Sequence, residues 1–205
     1  MKIPLCSTAR GVASLFFVAA ILAAPIKAIG QTIGQTGWSL GVYGGQHYDT
    51  EPAGFIQGNA NFQNQYVLAL NMTKTVWRSQ NWPMSIEVDG MLGQQFGQAT
   101  LNEVAVAPVL RWSGFPWNHL LQTDLRVGPV GISYTTDVGP FERGTEGRGS
   151  RLLNFLLLEL AFSRPQEKSR EVFVRLHHRC TVYDLINTYG ANGEDFLVLG
   201  YRKHF

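Results

Sequence analysis

Along most of the chain beyond residue 60, apolar and polar residues alternate with a period of two. That spacing sends successive side chains to opposite faces of a strand. From Met84 the even positions carry Met84, Ile86, Val88, Gly90 and Leu92, with Ser85, Glu87 and Asp89 between them. The next segment sets Val104, Val106, Pro108, Leu110 and Trp112 against Glu103, Ala105, Ala107, Val109 and Arg111. Leu121, Thr123, Leu125 and Val127 alternate with Gln122, Asp124 and Arg126. Leu152, Leu156, Leu158, Leu160 and Phe162 share one face, interrupted by Asn154, with Glu159 and Ser163 opposite. Earlier, Leu68, Leu70 and Met72 oppose Asn71, Thr73 and Thr75. Residues 172–180 and 195–205 form two further strands, and 38–43, where glycines blur the pattern, forms the eighth.

Alternation alone admits a soluble sandwich, whose apolar faces pack on each other and whose polar faces meet water. The charged residues favour a different architecture. Glu87, Asp89, Glu103, Arg111, Asp124, Arg126, Glu159 and Arg175 all fall on the polar face. A small closed barrel with a paired, packed polar interior accounts for them together. Connection lengths agree: 78–83, 113–118 and 164–171 are the shorter ones, alternating with 46–65, 93–100, 135–150 and 181–193. Outer-membrane barrels have short periplasmic turns and longer outside loops. Trp77, Trp82, Trp112, Phe115 and Trp117 gather at the expected periplasmic ends, where aromatic rings favour the interface. The expectation is an all-β fold, an eight-stranded antiparallel transmembrane β-barrel of a bacterial outer membrane, with the longer connections outside.

The first segment is of another kind. Lys2 and Arg10 precede an apolar run over residues 12–24, then Lys27-Ala28 and the polar Gln31-Thr32. This is the order of a secretory signal, and the run is shorter than the roughly 20 residues of a membrane span. The expected division is a signal peptide over 1–28 and a barrel domain over 29–205. Cys6 precedes the apolar core, which places it poorly for lipid attachment, and Cys180 is the single cysteine after the signal. A formal charge of +2 with scattered basic residues gives no footprint for nucleic acid. The chain ends in Phe205, with Tyr201, Leu199 and Leu197 on the same face. That resembles the terminal aromatic signature read by the barrel assembly machinery.

One strand carries chemistry on the wrong face. Val172, Val174 and Leu176 point outward, and the same parity delivers His178 and Cys180, while Phe173, Arg175, His177 and Arg179 point inward. In the last strand, the parity that puts Leu197 and Leu199 in lipid also puts Asp195 outward, with Glu194 free to turn either way. Nucleophile, base and acid therefore meet at the outer rim of two adjacent strands. Spacing alone favours the plainer reading, an interfacial histidine, a small apolar cysteine and a turn aspartate.

Residues 152–162, the run Val172-Phe-Val-Arg-Leu-His-His-Arg-Cys-Thr-Val-Tyr-Asp-Leu185 and the end Gly200-Tyr-Arg-Lys-His-Phe205 resemble the lipid A 3-O-deacylase family, the acyloxyacyl hydrolase-like outer-membrane barrels. The family's core is a His-x-Ser on a lipid-facing strand with an acid at the start of the final strand. His178 matches the histidine, Cys180 occupies the serine position, and Asp195, or Glu194 if the register differs by one, takes the acid. The resemblance implies metal-free, cofactor-free hydrolysis of the ester holding the acyl chain at position 3 of lipid A, with outer-leaflet lipopolysaccharide as partner. The chain departs from the pattern at Cys180 and at Asp184, where relatives often have glycine near the oxyanion-binding turn. A non-catalytic structural or lipid-binding barrel is the alternative, and a transport pore the third reading.

Overall fold

A computed structural model describes residues 37–49, 58–144, 147–181 and 193–205 of the protein. The expected signal segment and Asp184 lie outside these residues. Nine strand segments follow one another: β1 (Trp38–Tyr48), β2 (Phe62–Arg78), β3 (Met84–Gly97), β4 (Leu101–Trp112), β5 (Gln122–Gly128), β6 (Ile132–Thr135), β7 (Leu152–Arg164), β8 (Glu167–Cys180) and β9 (Glu194–His204). Each pairs antiparallel with its sequence neighbours, except that β5 and β6 share one place between β4 and β7. Because β1 also pairs with β9, the sheet closes on itself as an eight-stranded barrel. Closure leaves no second sheet to bury an apolar face, so the soluble sandwich is excluded.

The apolar face is the outer one. Leu68, Leu70, Met72, Leu92, Val104, Val106, Leu158, Leu160, Val172 and Leu199 are all exposed, while the residues between them are buried. Such a surface is unfavourable in water and matches the lipid-facing band of a membrane barrel. Trp38, Trp77, Trp82 and Trp117 stand exposed toward one end, beside the connections 79–83 and 113–121.

The interior is an ion-pair lattice. Arg126 reaches Glu87 at 2.8 Å, Asp89 at 2.8 Å and Glu159 at 2.7 Å. Arg175 joins Glu159 at 2.6 Å and Asp89 at 3.2 Å. Arg202 bridges Glu159 and Glu171, and Arg111 bridges Asp124 and Glu171. Every interior charge expected from the sequence is inside, and each has an opposite charge against it. Pairing is what makes such burial tolerable, since removing one partner strands the others in low dielectric. Tyr43, Phe155, Phe173 and Phe196 fill the space that remains. An interior packed this way does not have the open lumen of the pore reading.

Three local expectations change. The fifth strand does not stop at residue 127: it continues as β6 after an interruption at Pro129, Val130 and Gly131. Its register with both β4 and β7 slips by one residue across that gap, so Gln122, Asp124 and Arg126 face inward before it and Ser133 and Thr135 after it. This is a β-bulge, and Pro129, which lacks an N–H to give to a ladder, begins it. The connection expected over 93–100 shrinks to 98–100 because β3 runs on to Gly97. Likewise 164–171 shrinks to Pro165-Gln166, since polar Glu167, Lys168, Ser169 and Arg170 extend β8 beyond the apolar stripe. The end expected to face outside therefore carries one short connection among longer ones.

Candidate functional site

Antiparallel pairing puts His178 of β8 directly opposite Asp195 of β9, and Cys180 directly opposite Asn154 of β7. All four lie on the outward-facing parity of their strands, so one patch of the barrel's outer face gathers them. Residues directly opposite in adjacent strands have Cβ atoms about 5 Å apart, and neighbours two apart on one strand about 6 to 7 Å. The patch is distinct from the surface around it. Leu199, on the same face, is 67% exposed, whereas Asn154 is 1%, Cys180 4%, His178 5% and Asp195 8% exposed.

His178 Nδ1 lies 2.6 Å from Asp195 Oδ1. Since a carboxylate accepts, Nδ1 carries the hydrogen, and Nε2 is left with the lone pair of the neutral ring. Glu194, by contrast, turns inward, where its carboxylate is 4.0 Å from Arg179 Nη1. Strand alternation separates the two acids as the parity of Leu197 and Leu199 indicates, and Asp195 is the carboxylate on the imidazole.

Inward neighbours hold the strand that presents the site. His177 sits between Tyr43 Oη at 3.1 Å and Glu103 at 3.2 Å. Arg179 is tied to Glu142, donates to Ser133 Oγ at 2.9 Å and to Thr135 Oγ1 at 3.1 Å, and is fully buried. With these alternate residues locked inside, the backbone carrying His178 and Cys180 has little freedom, which is how a scaffold keeps a functional group in place. Glu142 follows β6 in the chain, and its pairing with Arg179 ties it to β8 behind the site.

Sequence reasoning passed over three residues. His47 has Nδ1 2.8 Å from the Asp195 carbonyl oxygen and its ring 4.1 Å from that of Phe141. It braces the start of β9. Gly193 packs on the imidazole: a Cβ there would stand 2.9 Å from His178 Cε1. Asn154 was visible only as a break in a leucine stripe, and that break was the signal. Its Oδ1 accepts the Gly131 N–H at 3.0 Å, the donor that the bulge releases from the ladder. Cys180 is in no disulfide. A thiol, an imidazole and a carboxylate in this order are the parts from which an activated nucleophile is assembled.

No protein-family profile matches the chain, and no curated relative does. Solved structures do. The outer membrane enzyme PagL superposes with a TM-score of 0.56 at 14% identity, over 80% of this chain and 98% of that one. Neisserial surface protein A, NspA, superposes with a TM-score of 0.50 at 8% identity, over 83% of this chain and 98% of that one. At such identities the likeness is one of fold. The chain thus has the fold of outer-membrane barrels, with the apolar outer band that such a fold turns to lipid.

Proposed function

We propose that the protein is a lipid A 3-O-deacylase-like ester hydrolase, releasing an acyl chain from the lipid A moiety of outer-leaflet lipopolysaccharide. The observation that carries this reading is the His178–Asp195 hydrogen bond of 2.6 Å on the lipid-facing side of the barrel, with Cys180 next on the same face. A hydrogen-bonded imidazole and carboxylate on the outward parity of a barrel with an apolar outer band are costly to place there. They have a use if the substrate itself is a lipid. The sequence resemblance adds to this reading, and so does the barrel likeness to an outer membrane enzyme.

In the proposed cycle, His178 Nε2 takes the proton of Cys180 as Sγ attacks the ester carbonyl carbon. The carbonyl π electrons move to oxygen, the C–S bond forms, and the tetrahedral intermediate collapses by breaking the C–O bond to the sugar. His178 then returns its proton to the departing alkoxide. Water, deprotonated by the same Nε2, hydrolyses the thioester and restores the thiol. Asp195 holds the tautomer that leaves Nε2 basic and stabilises the transient imidazolium. Lipid A and the membrane are the partners in this reading, with the barrel assembly machinery acting earlier, on the folding chain.

Mass spectrometry of lipid A from cells with and without the protein tests it. Loss of one ester-linked acyl chain only in cells that make the protein is the expected result. An unchanged lipid A, with the barrel shown to be folded in the outer membrane, refutes it. The competing reading is a non-catalytic lipid-binding barrel, and the observation in its favour is the near-complete burial of the Cys180 side chain.

A further inference from the structure

The geometry points to Asn154 as a further catalytic residue, the side-chain donor that stabilises the oxyanion formed when Cys180 attacks an acyl carbonyl. The inference rests on the hydrolase reading and deepens it. Asn154 is polar, 1% exposed, and interrupts a lipid-facing row of leucines, directly opposite Cys180 in the β7–β8 register. A buried amide at such a position is costly unless something holds it. What holds it is the Gly131 N–H, which donates to Oδ1 at 3.0 Å.

That bond settles which way the amide faces. An N–H can be received only by the carbonyl oxygen, so Oδ1 is turned to Gly131 and the Nδ2 amino group, with its two hydrogens, takes the other position. Gly131 is itself constrained: a Cβ there would stand 2.7 Å from Ala107 Cβ and 2.8 Å from the Phe155 carbonyl oxygen. The bulge between β5 and β6, the glycine within it and the asparagine opposite the thiol thus form one device. A fixed, desolvated amide donor beside a nucleophile is what an oxyanion site requires, because it is oriented before charge develops and nothing needs to reorganise.

Two reactions of the same thiol separate this role from a structural one. Acylation of Cys180 by p-nitrophenyl decanoate passes through an oxyanion, whereas alkylation by the smaller iodoacetamide does not. The full mature chain, refolded in detergent, is compared with Asn154→Ala and Asn154→Asp. The aspartate keeps an oxygen for the Gly131 N–H and loses only the donor, whereas the alanine removes both. In both variants acylation should fall about 100-fold, while alkylation at its high-pH plateau should change by less than about twofold. Equal losses in both reactions, or no loss in either, overturn the role of Asn154 and leave the hydrolase reading standing. A wild-type protein that is alkylated but never acylated overturns both.

Discussion

Arg179 and Glu194 face each other inside the barrel, 4.0 Å apart, while the next residue along each of their strands, Cys180 and Asp195, lies on the outward parity. The same two strands thus present an ion-pair lattice on one side and a reactive constellation on the other. Each face predicts something different.

On the outer face, Asp195→Asn should reduce lipid A ester cleavage by about 100-fold or more, since an amide in contact with Nδ1 no longer enforces the productive tautomer. Glu194→Gln should have a much smaller effect. Rates measured on detergent-solubilised lipid A decide it; the opposite order would move the acid to Glu194.

Cys180→Ala and His178→Ala should each abolish cleavage, and the double variant should be no worse than either, because nucleophile and base act as a unit. Cys180→Ser should retain activity, serine being the residue that the family pattern has at this position. If wild type and Cys180→Ser both leave lipid A intact while folding normally, the protein is not a hydrolase of this kind.

Within the lattice, Arg126→Met should destabilise the barrel by about 3 to 5 kcal/mol, by leaving Glu87, Asp89 and Glu159 short of a partner. The readout is the temperature at which the folded, fast-migrating gel band converts to the unfolded one. Leu199→Met, on the lipid face, should leave that temperature nearly unchanged.

Sidedness has a direct check. Epitope tags within 136–151 should be reached by antibody on intact cells, and tags at Pro165-Gln166 only after the outer membrane is opened. Reversed accessibility would invert the barrel and move the His178 patch to the inner leaflet.

How far the sequence alone reaches is clearest strand by strand. Alternation is a local property, because side chains change face at every residue whatever the neighbouring strand does. Glu87, Asp89, Arg126, Glu159 and Arg175 could therefore be assigned to the interior from parity alone, and His178, Cys180 and Asp195 to one shared parity opposite to it. The extra residue at Pro129, Val130 and Gly131 was not legible, since a bulge shows only when the strand is set against both neighbours. For the same reason Asn154 read as a blemish until its register placed it opposite Cys180. Which face a residue occupies follows from the chain itself. Which residue stands across from it depends on pairing between strands far apart in sequence, and only the closed barrel sets that register.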